Sequence, residues 1–417
     1  MTDSATIKVT LEKPNAVFLD SLAAFNAAVP SREATERFGE KEPKTRTEEA
    51  MPATGAYMLK QWRADKPVVF QKNPNNFRKG EPLLDGMIVP LLFGDPAATR
   101  IAFEQKQVDS WSGPDNNTTK SVIDAHSGQM WESLTGVANT VYLHLNMNQQ
   151  FKDVRLVRAV NLAFDRRALI QSFHQGLGQV SGPVTWLQEG FAIPTAELIQ
   201  MDGYRVNRDE DNKKARELWS AANGASLGEI NIATIQDWLG IFPDTITIVP
   251  DMLNKALGVS QFVSRRATYE DVTSNLASGK FPNWIAWTSA VGGPDPRQGL
   301  RSGYHSTSTT NYQHVNNPEL DTLLDKAIQE TDYKKAVDQV RQIQKILIDN
   351  AQYGNINLYN YIYRSAGWNY FHGLFKNHPG KGKPGDGYNI FAGHLAPKAV
   401  WLDTKDATFQ GRPAATL

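Results

Sequence analysis

The chain has 417 residues with 44 basic and 44 acidic side chains, so its formal net charge is zero. This balance gives no electrostatic support for a polyanionic partner, and nucleic acid is therefore not an expected ligand. The absence of cysteine excludes disulfides and thiolate metal sites, and no apolar run approaches the ~20 residues of a membrane span.

The first part of the chain predicts strands and short helices in alternation. Ile7, Val9 and Leu11 alternate with polar residues, which predicts a strand near the N-terminus. Asp95 followed by Pro96 predicts the capped start of a helix, because an aspartate side chain can accept from a first-turn amide. Further strands are predicted over residues 57–62, 68–70 and 87–93.

The best-patterned segment is DVRLVRAVNLAFDRRALI, residues 153–170. Asp153 predicts a helix start, and apolar residues then recur at helical spacing through Phe164. The pattern predicts one buried helix, whose arginines, Arg166 among them, reach water or carboxylates. Residues 140–148 alternate in polarity, which predicts a strand that leads into this helix through a short polar link.

The second half continues the alternation of helices and strands. Asn317 and Pro318 predict the start of a strongly amphipathic helix, and the segment 291–299, VGGPDPRQG, predicts an irregular loop. Helices are also predicted over 209–223, 247–257 and 333–350, and strands near 230–232 and 262–263 and over 283–289 and 355–367. Such alternation is typical of an α/β protein, and this length predicts about two or three domains.

Seven segments, taken together and in order, resemble the family 5 extracytoplasmic solute-binding proteins of ABC importers. The clearest is VRLVRAVNLAFDRRALIQSFHQGLG, residues 154–178, which is similar to the family's V-R-x-A-l-n-y-A-i-D-R signature. The other six segments are PATGAY (52–57), NPNNFRKGEPLLDG (73–86), DPAATRIAFEQKQVDSW (95–111), RDEDNKKARELWSAANG (208–224), IAWTSAVGGPDP (285–296) and NNPELDTLLDKA (316–327).

This resemblance implies a two-lobe fold of the type II periplasmic-binding-protein kind. Residues 1–139 would form a first lobe, residues 140–364 a second lobe, and residues 365–417 a return to the first. The family's signal peptide and opening segment do not precede Met1, so the first lobe is expected to be incomplete. Family members are periplasmic or extracytoplasmic, although the chain as given carries no export signal.

The implied function is a solute receptor that binds an oligopeptide or a similar small polar solute in the cleft between the lobes. It would deliver this solute to a membrane permease driven by an ATPase subunit, as a monomer without cofactor, metal or enzymatic activity. Trp287 and Tyr361 match ligand-lining positions of the family. Thr288, Ser289, Asp295 and Arg297 follow Trp287 and could add polar contacts. No acidic residue directly follows Trp287, so a ligand's N-terminal ammonium is not the expected feature.

Other readings of these residues stay open. Trp287 could equally be a core residue, and Tyr359 and Tyr363 are explained by packing alone. A hydrolase using the same cleft would need a cluster of titratable residues, and H-E-x-x-H and G-x-S-x-G are absent. A truncated or degenerate binding protein without transport activity is the second alternative. The match of GKGKPG, residues 380–385, to a dinucleotide motif lacks the flanking strand and helix that such a site needs.

Overall fold

The computed structural model describes residues 3, 6–22, 32–38, 54–63, 66–90, 95–147, 149–188, 190–235, 245–279, 284–288, 295–373 and 400–414. The helices are Phe18–Leu22 (α1), Arg32–Phe38 (α2), Pro96–Glu104 (α3), Asn116–Ala125 (α4), Val154–Ala163 (α5), Arg166–His174 (α6), Thr195–Leu198 (α7), Asp209–Ala221 (α8), Thr245–Leu257 (α9), Tyr269–Ser278 (α10), Arg297–Tyr304 (α11), Pro318–Gln329 (α12) and Tyr333–Asp349 (α13). The strands are Tyr57–Gln61 (β1), Val68–Lys72 (β2), Gly86–Val89 (β3), Ser110–Trp111 (β4), Met130–His144 (β5), Gly178–Val180 (β6), Ile230–Ile235 (β7), Phe262–Ala267 (β8), Trp284–Thr288 (β9), Asn355–Trp368 (β10), Phe371–His372 (β11) and Trp401–Leu402 (β12).

The chain divides into two compact units, and neither is a continuous segment. The larger unit comprises Met1–Ala27, Ala138–Ile170 and Gln179–Asn360. The smaller unit comprises Ala28–Val137, Gln171–Gly178 and Tyr361–Leu417. The boundary between the units falls within two strands. The chain passes from the smaller to the larger unit inside β5, at Val137 and Ala138, and returns inside β10, at Asn360 and Tyr361.

The larger unit is built on a mixed sheet with strand order β10, β5, β9, β7, β8. Strands β7 and β8 are parallel, and Ile230 lies opposite Phe262. Strands β5 and β9 are antiparallel, and Val141 lies opposite Trp287. Parallel neighbours need a crossover connection, and helix α9 supplies it between β7 and β8.

In helix α12 of the larger unit, apolar side chains that recur at helical spacing in the sequence are buried. Asn317 caps α12 by accepting from the amides of Glu319 and Leu320, which confirms the predicted start of this helix. Leu320 and Leu324 are buried in a core shared by α11, α12 and α13. Helix α5 packs against α8 and α9, so the sheet and these helices form one mixed α/β layer structure.

The smaller unit contains a three-stranded antiparallel sheet, β1–β2–β3, and a separate aromatic core. In this core Phe103 stacks on Trp111, with ring centroids 5.6 Å apart. The indole N–H of Trp368 donates to the carbonyl of Phe103, and that of Trp131 donates to the carbonyl of Phe371. The buried indoles of Trp131 and Trp368 therefore each have a backbone partner, as burial of a polar N–H requires.

The predicted single helix over residues 153–170 is wrong in one respect, because it is two helices. Helix α5 ends at Ala163, and Phe164 has extended dihedrals of −76° and 122°. Asp165 then starts α6, since its side chain accepts from the amides of Arg167 and Ala168. A second capping aspartate thus interrupts a stripe whose apolar spacing alone is continuous.

Arg166 also departs from the sequence prediction, since it does not reach water. Its side chain is buried, with 2% exposure. It donates to the carbonyls of Gly203 (2.7 Å) and Asn357 (3.2 Å) and to the side-chain oxygen of Asn161 (2.7 Å). These acceptors come from three separate segments, so the guanidinium joins parts of the larger unit that are distant in sequence.

The predicted first strand is also wrong. Residues 7–12 belong to no strand, and Ile7 and Val9 are 82% and 56% exposed. Further along the chain, the amide of Ala16 donates to the carbonyl of Ile328, and Val17 is buried. Alternating polarity is necessary for a half-buried strand but does not supply the neighbouring strand that the backbone needs.

Sequence patterns missed several helices. Helix α10 starts at a capping box of Thr268 and Asp271, a motif that its sequence carries. Helix α11 begins at Arg297, inside the segment predicted to be an irregular loop. Within the described residues, no helix combines the length and the apolar character needed to cross a membrane.

Candidate functional site

The predicted aromatic strand is β9, held between two neighbours in the larger unit. Its backbone pairs Trp287 with Val141 and Thr288 with Thr140 on β5. On the other side, it is parallel to β7. The backbone of Trp287 and Thr288 is therefore fixed within the sheet, whereas Ser289 lies outside the described residues.

Asp295 and Arg297 bind each other. The guanidinium of Arg297 donates to both carboxylate oxygens of Asp295, with Nη2 2.6 Å from Oδ2 and Nε 2.9 Å from Oδ1. Nη1 of Arg297 donates to the carbonyls of Ala327 (3.0 Å) and Glu330 (2.7 Å) at the end of α12. The pair thus joins the start of α11 to the end of α12, and as solute contacts these two residues remain predictions.

Tyr361 lies in the smaller unit as part of an aromatic group with His174 and Tyr363. Its ring is parallel to that of His174, with centroids 4.7 Å apart and an angle of 4° between the planes. Its hydroxyl lies 3.4 Å from the hydroxyl of Tyr363, as expected for alternate residues of one strand. Tyr361 is only 4% exposed, so stacking fixes the orientation of its ring.

Asn116 binds the strand segment that carries Tyr361, a role that no sequence pattern predicts. Its side-chain nitrogen donates to the carbonyl of Ile362 (2.9 Å), and its oxygen accepts from the amide of Arg364 (2.8 Å). One amide side chain thus replaces a neighbouring strand along this part of β10. The only signal in the sequence is Asp115, which caps α4 and so places Asn116 in its first turn.

Two buried histidines, one in each unit, have strongly lowered pKa values. Burial lowers the pKa of His144 to about 4 and the pKa of His174 to about 3, because a charged imidazole loses its hydration there. His144 lies on β5 in the larger unit, and His174 ends α6 in the smaller unit. Both rings are therefore neutral at pH 7.

We expect acid to destabilise the protein through these two histidines. An unfolded histidine has a pKa of about 6.5, so the unfolded state binds protons first and stability falls as pH decreases below that value. With the lowered pKa values given above, each of the two histidines should lower the free energy of unfolding by about 2 kcal/mol between pH 7 and pH 5. Urea unfolding at both pH values measures this loss. A variant with both His144→Phe and His174→Phe should lose most of this pH-dependent decrease in the free energy of unfolding. An unchanged pH dependence would show that these two histidines are not its cause.

The structure offers little support for a metal or for a separate surface site. No group of three histidine, aspartate or glutamate side chains is placed to hold a metal ion, as far as the described residues extend. Two depressions of the larger unit, at residues 199–210 and 322–330, are open and lined mainly by polar and charged side chains. Small-molecule sites are usually concave and mostly apolar, so neither depression is a candidate.

Comparisons with known proteins agree on one family. The sequence profile described as bacterial extracellular solute-binding proteins, family 5 Middle, matches residues 1–311. Heme-binding protein A of Haemophilus influenzae is 24% identical over 370 residues, which cover 84% of this chain and 62% of that protein. The probable D,D-dipeptide-binding periplasmic protein DdpA of Escherichia coli is also 24% identical over 370 residues, covering 86% of this chain and 67% of that protein.

Solved structures show the same likeness at the level of the fold. The Escherichia coli murein tripeptide binding protein MppA has a TM-score of 0.73 at 20% identity, covering 96% of this chain and 73% of that one. DppA of Helicobacter pylori, in complex with the peptide STSA, has a TM-score of 0.73 at 17% identity, covering 95% of this chain and 74% of that one. At such identities the comparison shows a common fold and leaves the ligand open.

Proposed function

Because the chain belongs to family 5 of the bacterial extracellular solute-binding proteins, we propose that it is the extracytoplasmic receptor of an ABC importer. Its fold is that of the type II periplasmic binding proteins, and its family consists of binding proteins, not enzymes. The proposed ligand is an oligopeptide or a similar small polar solute. The proposed partners are a permease and its ATPase, and the proposed state is a monomer.

The observation that carries the proposal is the family match over residues 1–311, which includes β9 and residues 289–297 after it. The named relatives support a peptide, since DdpA is named for a D,D-dipeptide and MppA for a murein tripeptide. Heme-binding protein A is named for a different ligand, so haem is a second candidate solute.

The proposed solute contacts are Trp287, Thr288, Ser289, Asp295, Arg297 and Tyr361. Trp287 and Tyr361 are expected to contribute most, because an aromatic ring gives apolar area together with a polar N–H or O–H group. Asp295 and Arg297 should contribute least, since their charged groups already bind each other and two backbone carbonyls.

Thermal unfolding with a panel of di- to pentapeptides, polar solutes and haem tests the proposal. A receptor gains about 2.7 kcal/mol at a ligand concentration of 100 Kd, which raises Tm by several degrees. Trp287→Ala should remove most of the shift. Trp62→Ala, at a residue 37% exposed and outside the proposed site, is the matched control and should keep it.

Each outcome of this experiment decides between the readings. A shift with peptides alone supports the peptide receptor, and a shift with haem alone replaces the peptide by haem. The absence of a shift with every solute would overturn the receptor proposal in favour of a binding protein that has lost its function. An equal loss of the shift in Trp287→Ala and Trp62→Ala would overturn the assignment of the site.

A further inference from the structure

A group of polar side chains in the larger unit includes none of the proposed solute contacts. We call Tyr142, His144, Tyr304 and Asn355 the polar cluster. The rings of Tyr142 and His144 are stacked with centroids 5.8 Å apart, and the side-chain nitrogen of Asn355 lies 3.5 Å from the Tyr304 hydroxyl. Burial raises the pKa of Tyr304 far above its usual value, and Tyr142 and Tyr204 add smaller contributions in the same direction.

Strands β5 and β10 bring His144 and Asn355 together. The amide of Leu145 donates to the carbonyl of Gly354, with the two atoms 2.8 Å apart. The next residues along each strand, His144 and Asn355, are therefore neighbours across the strand pair. Tyr142, His144 and Asn355 lie on sheet strands and Tyr304 ends helix α11, so regular elements hold all four side chains better than a loop would.

Among the residues that the structure describes, neither buried ring nitrogen of His144 has a hydrogen-bond partner, and the side chain is only 5% exposed. The side-chain oxygen of Asn355 is likewise buried without a partner. Burying an unsatisfied polar group is unfavourable because the group loses its hydrogen bonds to water, so each such group in a folded protein needs a physical explanation. Three such atoms on two neighbouring residues point to a bound polar group.

The chemistry of the cluster selects the class of that group. A neutral imidazole presents one N–H donor and one acceptor nitrogen, and the Asn355 oxygen adds a second acceptor. Burial is the cause of the lowered pKa of His144. A neutral amide offers the matching N–H and C=O groups and brings no charge into a buried position.

We propose that the polar cluster is a binding site for a neutral amide group, with His144 and Asn355 as its hydrogen-bonding contacts. This inference deepens the proposed function and rests on it where the amide belongs to a peptide solute. The cluster would recognise the peptide group itself rather than a side chain or a charged terminus.

N-methylacetamide, the peptide group alone, is the probe that tests the site without knowledge of the solute. In protein labelled with ¹⁵N, titration should shift the ring nitrogens of His144 and the side-chain amide of Asn355 towards saturation. Acetate and methylammonium, of similar size but charged, should leave these resonances unchanged. The buried ring of His174, in the smaller unit, is the internal control and should not move with any probe.

Two variants separate binding from folding. His144→Phe keeps a ring next to Tyr142 but removes both nitrogens, and it should abolish the shift of the Asn355 amide. For a peptide that stabilises the unmodified protein, the same variant should bind about tenfold more weakly, the effect of losing one hydrogen bond to a buried group. The remaining resonances of the variant report directly whether it is folded.

The inference is overturned if N-methylacetamide moves neither residue, or if acetate or methylammonium moves them equally. It is also overturned if folded His144→Phe protein still shows the Asn355 shift. A shift with N-methylacetamide in a protein that no solute of the panel stabilises would leave the amide site standing and overturn the receptor proposal. The two proposals therefore fail separately.

Discussion

Replacing Asp211 with alanine should lower the free energy of unfolding by about 3 to 5 kcal/mol, the range for one partner of a buried ion pair. The Asp211 side chain is completely buried. One carboxylate oxygen accepts from Arg205, and the other accepts from Arg208 and from the amide of Gly203. Alanine would leave the Arg208 guanidinium, which is 13% exposed, without its carboxylate partner. Urea unfolding at pH 7 measures the loss.

Two further variants make this experiment specific. Asp209→Ala, in the same first turn of α8 but exposed, is the matched control and should lose less than about 1 kcal/mol. Asp211→Asn keeps an oxygen acceptor without the charge and should fall between the two. A loss below about 1 kcal/mol in Asp211→Ala would show that the arginines find water when the carboxylate is removed.

Phe164→Ala is the second substitution with a large expected effect, about 3 to 5 kcal/mol. The Phe164 side chain is completely buried and lies where α5 ends, immediately before the aspartate that starts α6. Truncation removes buried apolar surface and leaves a cavity that surrounding helices can fill only partly. Thermal and urea unfolding should both show the loss.

Phe77→Ala is the matched control for this variant. Phe77 is 76% exposed, so the same chemical change should alter the free energy of unfolding by less than about 0.5 kcal/mol. A loss well under 1 kcal/mol in Phe164→Ala would mean that the buried ring contributes little net packing energy, contrary to its complete burial.

Those parts of the fold that depend on local chemistry could be predicted from the sequence. Asp95 and Asn317 cap helices as predicted, because a cap is made by atoms within three residues of one another. The break at Phe164 was missed because apolar spacing reports which side is buried and contains no information on backbone dihedrals. The burial of Arg166 depends on acceptors as far away as Asn357, which no local pattern can indicate.

The candidate site shows the same division. The strand that carries Tyr361 was predicted from alternating tyrosines, but its stacking on His174 depends on a helix almost two hundred residues earlier in the chain. Asn116 could not be recognised as a support for β10, because its sequence context resembles an ordinary helix start. The bond between Asp295 and Arg297 is local, and the loop pattern around them concealed it.

The contact between Arg166 and the carbonyl of Asn357 spans 191 residues and has a consequence for synthesis on the ribosome. A nascent chain that has not yet reached β10 contains the arginine but lacks this acceptor, and its sheet ends at β5. Until that strand emerges, the guanidinium stays hydrated and one edge of the sheet is unpaired. Chaperones and proteases would therefore have access to the incompletely folded larger unit until β10 has been translated.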